Sequence, residues 1–378
     1  MANDKDFIVK NAVEVGKDTK VTLGTITSSD IDLSTGNYFS DTLAANTTYT
    51  ISNAGDVQSF QLEVTSGGVG YSLANASYDS VSFSAASQDT NAHGVTFNSD
   101  GTKMYVVGAI NDSVYQYTLT TGYDVSTASY DSVSLSVASQ DTNPVGLFFK
   151  SDGTKLYVVG LTNDNVYQYS LSTAFDLSTA SYDSVSFSVA SQDGSPHDVF
   201  FKSDGTRMFI TGNNNDSIFQ YTLSTAWDLS TASYDSVSFD LSSQDAAPIS
   251  VAFKSDGTKM YIAGAINDAV YQYSLSTSFD LSTASYDNVS FSFASQTGNP
   301  YGLAFNNNGT KMYIVDITGP IYQYSTSSEA TLTWPSSIEW AGGVAPAAPA
   351  TGETDVFTIT TDDGGTTYTG VKTADNLS

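Results

Sequence analysis

A five-fold internal repeat constrains this chain more than any other feature. Ser-Tyr-Asp recurs at Ser77, Ser129, Ser181, Ser233 and Ser285, with 52 residues between successive copies. The turn sequence Ser-Asp-Gly-Thr-Lys/Arg keeps the same interval from Ser99, Ser151, Ser203 and Ser255, and Asn-Asn-Gly-Thr-Lys at Asn307 is the fifth copy. Within one unit, runs of β-branched and aromatic residues at 146–149, 155–160, 165–170 and 183–188 are separated by turn residues, among them Asp152-Gly153 and Asn163-Asp164. Four short strands per unit describe a blade of a β-propeller, since solenoid repeats are usually shorter.

The ends of the repeat decide between an open stack and a ring. The first Tyr-Asp-Ser-Val-Ser-Phe run, 78–83, precedes every other strand, and the last three strands, 302–305, 311–315 and 321–324, have no such run after them. Pairing the orphan with the incomplete set removes two exposed edges. It also brings 76 and 326 together, so the flanking segments must meet. The expected fold is all-β: a five-bladed β-propeller of four-stranded blades at 77–326, closed by its first strand. It is inserted into a small β-sandwich made of 29–76 and 327–378, behind an N-terminal anchor strand segment at 1–28. Flank strands are expected at 7–9, 37–39, 48–51, 59–64, 330–334, 355–360 and 366–371.

Composition narrows the class of partner. At 378 residues the chain holds full-sized cores, and it has no cysteine, which removes disulfides, thiolate metal sites and cysteine nucleophiles. A net charge of −27 disfavours nucleic acid and anionic membranes, both of which need clustered Lys and Arg. No apolar run is long enough to span a membrane, and the first residues lack the basic start and apolar run of an export signal.

Strand order maps the turns onto two faces. The propeller's basic residues, from Lys103 to Lys311, all fall in or beside the turn between first and second strands. The opposite face carries Asp89, Asp141, Asp193 and Asp245, together with the Asn111-Asp112, Asn163-Asp164, Asn215-Asp216 and Asn267-Asp268 turns. These residues form the candidate binding ring, suited to Ca²⁺ or a hydroxyl-rich ligand such as a glycan, although Asn and Asp also simply favour turns. No resident cofactor or metal is expected. His93 and His197 occupy one repeat position and complete the candidate set; a shared metal with Asp198 is the alternative to a structural role. The recurring aromatics, such as Tyr123, Phe175, Trp227 and Phe279, are read first as core between blades. No nucleophile elbow, phosphate loop or zinc-protease motif is present.

Asp-Gly-Thr-Lys-Leu/Met-Tyr-Val-Val followed by Val-Tyr-Gln-Tyr resembles the repeats of YVTN-type and lactonase-like propellers. The flanks, including Phe7-Ile-Val-Lys-Asn-Ala-Val-Glu-Val, Ile31-Asp-Leu-Ser-Thr-Gly-Asn-Tyr-Phe and Thr333-Trp-Pro-Ser-Ser-Ile-Glu-Trp-Ala-Gly-Gly, resemble tail-fibre-like virion structural proteins of tailed phages, marine and cyanobacterial ones in particular. That resemblance implies a non-enzymatic virion surface protein, a head decoration or fibre or a tail fibre, assembled in the host cytoplasm. Its implied partners are other capsid or tail proteins, identical copies of itself with a trimer as the first expectation, and a host-surface glycan or protein. A glycan-active enzyme on a propeller scaffold and a purely structural capsid-stabilising spacer are the competing readings.

Overall fold

The computed structural model describes residues 21–43, 47–66, 70–326, 331–349 and 353–377. Two compact units emerge: Val69–Ser328, and Met1–Gly68 with Glu329–Ser378. The strand expected at 7–9, and most of the anchor at 1–28, lie outside the described residues.

The larger unit holds five four-stranded antiparallel sheets and is propeller-like. The first complete set in chain order is Ala92–Phe97, Lys103–Gly108, Ser113–Leu119 and Ala128–Ser136. The next is Pro144–Phe149, Lys155–Gly160, Asn165–Leu171 and Ala180–Ser188, within a few residues of the sequence expectation at each end. In the last, Pro300–Phe305, Lys311–Asp316 and Pro320–Ser325 are joined by Ser77–Ser84, the orphan strand, through pairs such as Ile321 with Phe83. The five innermost strands lie side by side in sequence order, and Pro300–Phe305 also lies beside Ala92–Phe97.

The Ser-Tyr-Asp signature has a mechanical explanation. Ser132 sits at φ +59°, with Ser80, Ser184, Ser236 and Asn288 alike, and the ladder shifts register opposite it between Gln116 and Tyr117. This bulge accompanies Asp131 turned onto its own sheet, where it accepts from Lys103 Nζ (2.6 Å), Gln116 Nε2 (2.8 Å) and Thr118 Oγ1 (2.6 Å). Burial works to raise the Asp131 pKa, but those bonds outweigh it and hold the carboxyl below its ordinary value. Gln116 then spends its other end on the next sheet, its Oε1 accepting from Leu177 N at 2.9 Å. Gln168, Gln220 and Gln323 repeat the bond to Leu229, Leu281 and Val125.

A second link runs between neighbouring sheets. The hydroxyls of Tyr105, Tyr157, Tyr261 and Tyr313 donate to the carbonyls of Phe175, Trp227, Tyr71 and Tyr123 at 2.5–2.9 Å. The third set has Phe209 at that position and lacks the hydroxyl. Arg207, standing where the others have Lys, donates instead to the Phe279 carbonyl at 2.5 Å. The two departures compensate each other, so Arg207→Lys is expected to cost about 1–2 kcal/mol alone and close to nothing when combined with Phe209→Tyr. A double-mutant cycle of denaturation midpoints checks this; additive effects would refute the compensation.

The repeat begins earlier than the sequence reading placed it. Tyr71 and Leu73 are the fifth copy of the aromatic and short 3₁₀ segment that includes Tyr123 and Val125. Tyr71 N donates to Gly309 O, Ser72 N donates to Thr326 O, and Leu73 is buried in the core of this unit. Residues 70–76 therefore belong with the propeller-like unit and not with the flank. The segment hid because Ser72 replaces the capping aspartate: Asp124, Asp176, Asp228 and Asp280 each accept from the amide two residues on, whereas the Ser72 side chain makes no cap.

The smaller unit is built on a five-stranded mixed sheet in the order Ile338–Trp340, Tyr368–Leu377, Thr354–Thr361, Gln58–Ser66 and Tyr38–Leu43. Both chain ends contribute, as the meeting of the flanks requires. Short pairs, Leu332–Thr333 with Thr47–Thr48 and the set Ile26–Thr27, Asp30–Asp32 and Thr50–Ser52, accompany it. Trp334 ties them to the main sheet through ring contacts with Tyr49 (5.7 Å), Trp340 (4.7 Å) and Phe357 (4.8 Å).

Candidate functional site

The face expected to carry an open acidic ring is built differently. Asp89, Asp141, Asp193 and Asp245 are at most 2% exposed. Each turns its carboxylate into the adjoining turn: Asp141 accepts from the amides of Asn143 (2.9 Å), Thr162 (3.1 Å) and Asn163 (3.0 Å), and Asp89, Asp193 and Asp245 repeat the arrangement. These carboxylates hold backbone, so they do not line a ring open to ligands. Asp141→Ala would strand those amides and is expected to lower stability by about 2–4 kcal/mol, read from thermal denaturation.

What reaches solvent on this face is the second set. Asn111, Asn163, Asn215 and Asn267 are exposed, yet each donates its amide to the carbonyl of Gln88, Gln140, Gln192 or Gln244. Asp112, Asp164, Asp216 and Asp268 are half-buried. Burial first, and the neighbouring carboxylates second, raise the pKa of Asp112, Asp164 and Asp268. Among the described residues, no group of three or more His, Asp or Glu is placed to hold a metal ion.

His93 and His197 are the second residues of the innermost strands Ala92–Phe97 and Pro196–Phe201, and are 4% and 7% exposed. Tyr301 packs against both, with ring centres 4.3 Å from His93 and 6.0 Å from His197. Burial pushes His93 down to about 3, helped by His197, and burial pushes His197 down to about 4. Both are neutral at ordinary pH, and their partners are Asn91 and Asn213. Asp198 does not join them: its Oδ2 accepts from Ser250 Oγ (2.5 Å) and Val251 N (3.1 Å), and its Oδ1 accepts from Val199 N (2.9 Å).

The repeat breaks along the innermost strands. One position reads Gly94, Gly146, Asp198, Ser250 and Gly302; two residues on it reads Thr96, Phe148, Phe200, Ala252 and Ala304. At the first level the strands approach so closely that a Cβ on Gly146 would lie 2.8 Å from Asp198 Cα. At the second, two rings face three small side chains, and a cavity of about 320 Å³ opens, lined by all of these residues except Gly146 and by Tyr301. Asp198 lies deep in the unit but keeps an edge on this cavity. Burial raises its pKa to about 7 against the three hydrogen bonds that oppose the shift. Sequence reading missed this site because it followed what the repeats share; the signal lay in what they do not share.

No protein-family model matches the chain, and no curated protein does. Among solved structures, it is similar to a putative 6-phosphogluconolactonase from Bacteroides uniformis, at 10% identity and TM-score 0.40 over 62% of this chain and 67% of that one. A putative 6-phosphogluconolactonase from Bacteroides fragilis is 12% identical with TM-score 0.39, over 53% of this chain and 55% of the other. A functionally unknown protein from Desulfotomaculum acetoxidans is 10% identical with TM-score 0.39, over 75% of this chain and 90% of that one. The chain thus spans about two thirds and little more than half of the first two.

Proposed function

We propose that this chain is a non-enzymatic virion surface protein of a tailed phage, in which a sandwich-like chassis carries a closed five-bladed propeller as a display module. Its place is the particle surface, as a head decoration or fibre or as a tail fibre, and its partners are other virion proteins and a host-surface molecule. The observation that carries the reading is the division of labour along the chain. Both outer segments, the ones that resemble phage structural proteins, pair with each other through Thr354–Thr361 and Gln58–Ser66, and the repeat unit is spliced between them. Support for closure comes from the Ser77–Ser84 pairing and from Gln323 and Tyr313, whose bonds to Val125 and Tyr123 join the last repeat to the first. Support for a non-catalytic role comes from the recurring acids, which are committed to holding backbone and lysine.

Labelled full-length protein, incubated with candidate host cells and separately with purified phage particles, tests the proposal beside a version lacking 70–326. Particle binding by both versions, with cell binding by the full chain alone, is expected. If only particles bind both versions, the propeller is a spacer; if neither target is bound, the virion assignment falls.

A further inference from the structure

The axial cavity is a place where near-identical repeats diverge, and its divergence has a direction. Ala252 and Ala304 leave room, and Phe148 and Phe200 wall one side with ring centres 5.2 Å apart. At its base stands Asp198, whose equivalents elsewhere are glycine or serine. The fold does not need a carboxyl there, and burying one is costly unless it is paired.

That carboxyl has no cation. The only basic residue on the cavity lining, among the described residues, is Lys150, and its Nζ is held by Asp152 at 2.6 Å. Ser250 Oγ and the amides of Val199 and Val251 occupy three acceptor positions on Asp198. A carboxylate offers about four, so one remains on Oδ1, where a single protein donor bonds. An acid without a counter-ion at the base of an aromatic well fits a particular complement. That complement is an N–H cation with an apolar body: the cation neutralises the carboxylate and the body covers the rings, whose faces also attract positive charge. The −27 net charge concentrates cations around the protein and repels anions.

We propose that the axial cavity is a binding site for a small organic ammonium ion, with Asp198 as its counter-ion, Phe148 and Phe200 as the apolar wall, and Ala252 and Ala304 as the residues that make room. A volume of about 320 Å³ limits the occupant to a compact amine such as an arylalkylammonium. The proposal is independent of where the protein resides, because it rests on the cavity alone.

Calorimetric titration of the full-length protein at about pH 8 with 2-phenylethylammonium tests it. The shape-matched alcohol 2-phenylethanol and the anion phenylacetate serve as controls. Binding of the ammonium alone is expected, weakened at least about tenfold in Asp198→Asn. Ala304→Leu, which fills the cavity and keeps the carboxyl, should abolish binding while thermal denaturation shows the variant folded. Lowering the pH to about 5.5 should weaken binding as Asp198 takes up a proton. Equal affinity for the ammonium and the alcohol, undiminished binding in either variant, or no binding of the ammonium by the parent protein overturns the proposal.

Discussion

Gly205→Ala is expected to destabilise the protein by about 3 kcal/mol, a large effect for one methyl group. Gly205 closes the Asp-Gly turn at φ +73°, where an L side chain is strained by roughly 1–2 kcal/mol. The remainder is steric. A Cβ there would sit 2.4 Å from Cδ1 and Nε1 of Trp227, a ring packed against Phe201 and Phe148 at 5.7 and 6.4 Å. Displacing it disturbs packing between two sheets, at about 1–3 kcal/mol. Removing the ring separates the two terms: in a Trp227→Ala background the glycine substitution should cost only the backbone strain. Denaturation midpoints for the four proteins of the cycle give the answer, and an unchanged cost in that background would discard the steric account.

Asp198→Asn should do the opposite and gain stability relative to the parent as pH rises from about 3.8 to about 7. The carboxyl titrates at about 7 when folded against an ordinary 3.8. Between those values the native state holds a proton that the unfolded chain has released, so stability is fully present below about pH 3.8 and is lost as pH rises through 7. The gap corresponds to about 2–4 kcal/mol once some allowance is made for the water that reaches Asp198 through the cavity. Asparagine carries no such charge penalty; its one amide oxygen cannot accept from Val199, Val251 and Ser250 together, a cost that does not change with pH. The stability of the variant relative to the parent should therefore rise by about 2–4 kcal/mol between about pH 4 and about pH 8. Comparing the two proteins at each pH cancels the acids they share, such as Asp131, whose lowered pKa makes its contribution persist above its ordinary value and fade only in stronger acid. A pH-independent difference would mean that the carboxyl is not the titrating group.

Asp198 is thus a residue kept against the interest of stability, as a carboxylate reserved for a bound amine would be. Four of the five repeats manage with glycine or serine at the same level of the axis, and only one carries the acid.

The period, the strand lengths and the pairing of the orphan strand were legible because they depend on local turn chemistry repeated five times. Asp152-Gly153 reads as a reversal whatever surrounds it. The direction in which a turn's carboxylate points was not legible: Asp141 has the same sequence signature whether it faces solvent or folds back onto Thr162 and Asn163. The Tyr71 segment escaped because Ser72-Leu73-Ala74-Asn75 stands where the other copies read Asp-Leu/Val-Ser-Thr. The axial site escaped for a related reason, since Gly146, Asp198 and Ser250 become neighbours only when strands from different repeats converge.

The pairing of Ser77–Ser84 with Pro320–Ser325 has a consequence for how the protein is made. The strand synthesised first in this unit must wait for the strand synthesised last, through the emergence of almost the whole unit from the ribosome. Until then its edge is unpaired, as is the edge of the three-stranded remainder once that forms. Long-range closure of this kind is slow compared with hairpin formation, and a waiting strand can enter the gap of another copy as readily as its own. In a crowded assembly compartment, the seam is therefore where strand exchange between chains would start, and where a chaperone or a fast-folding partner would have most effect on yield.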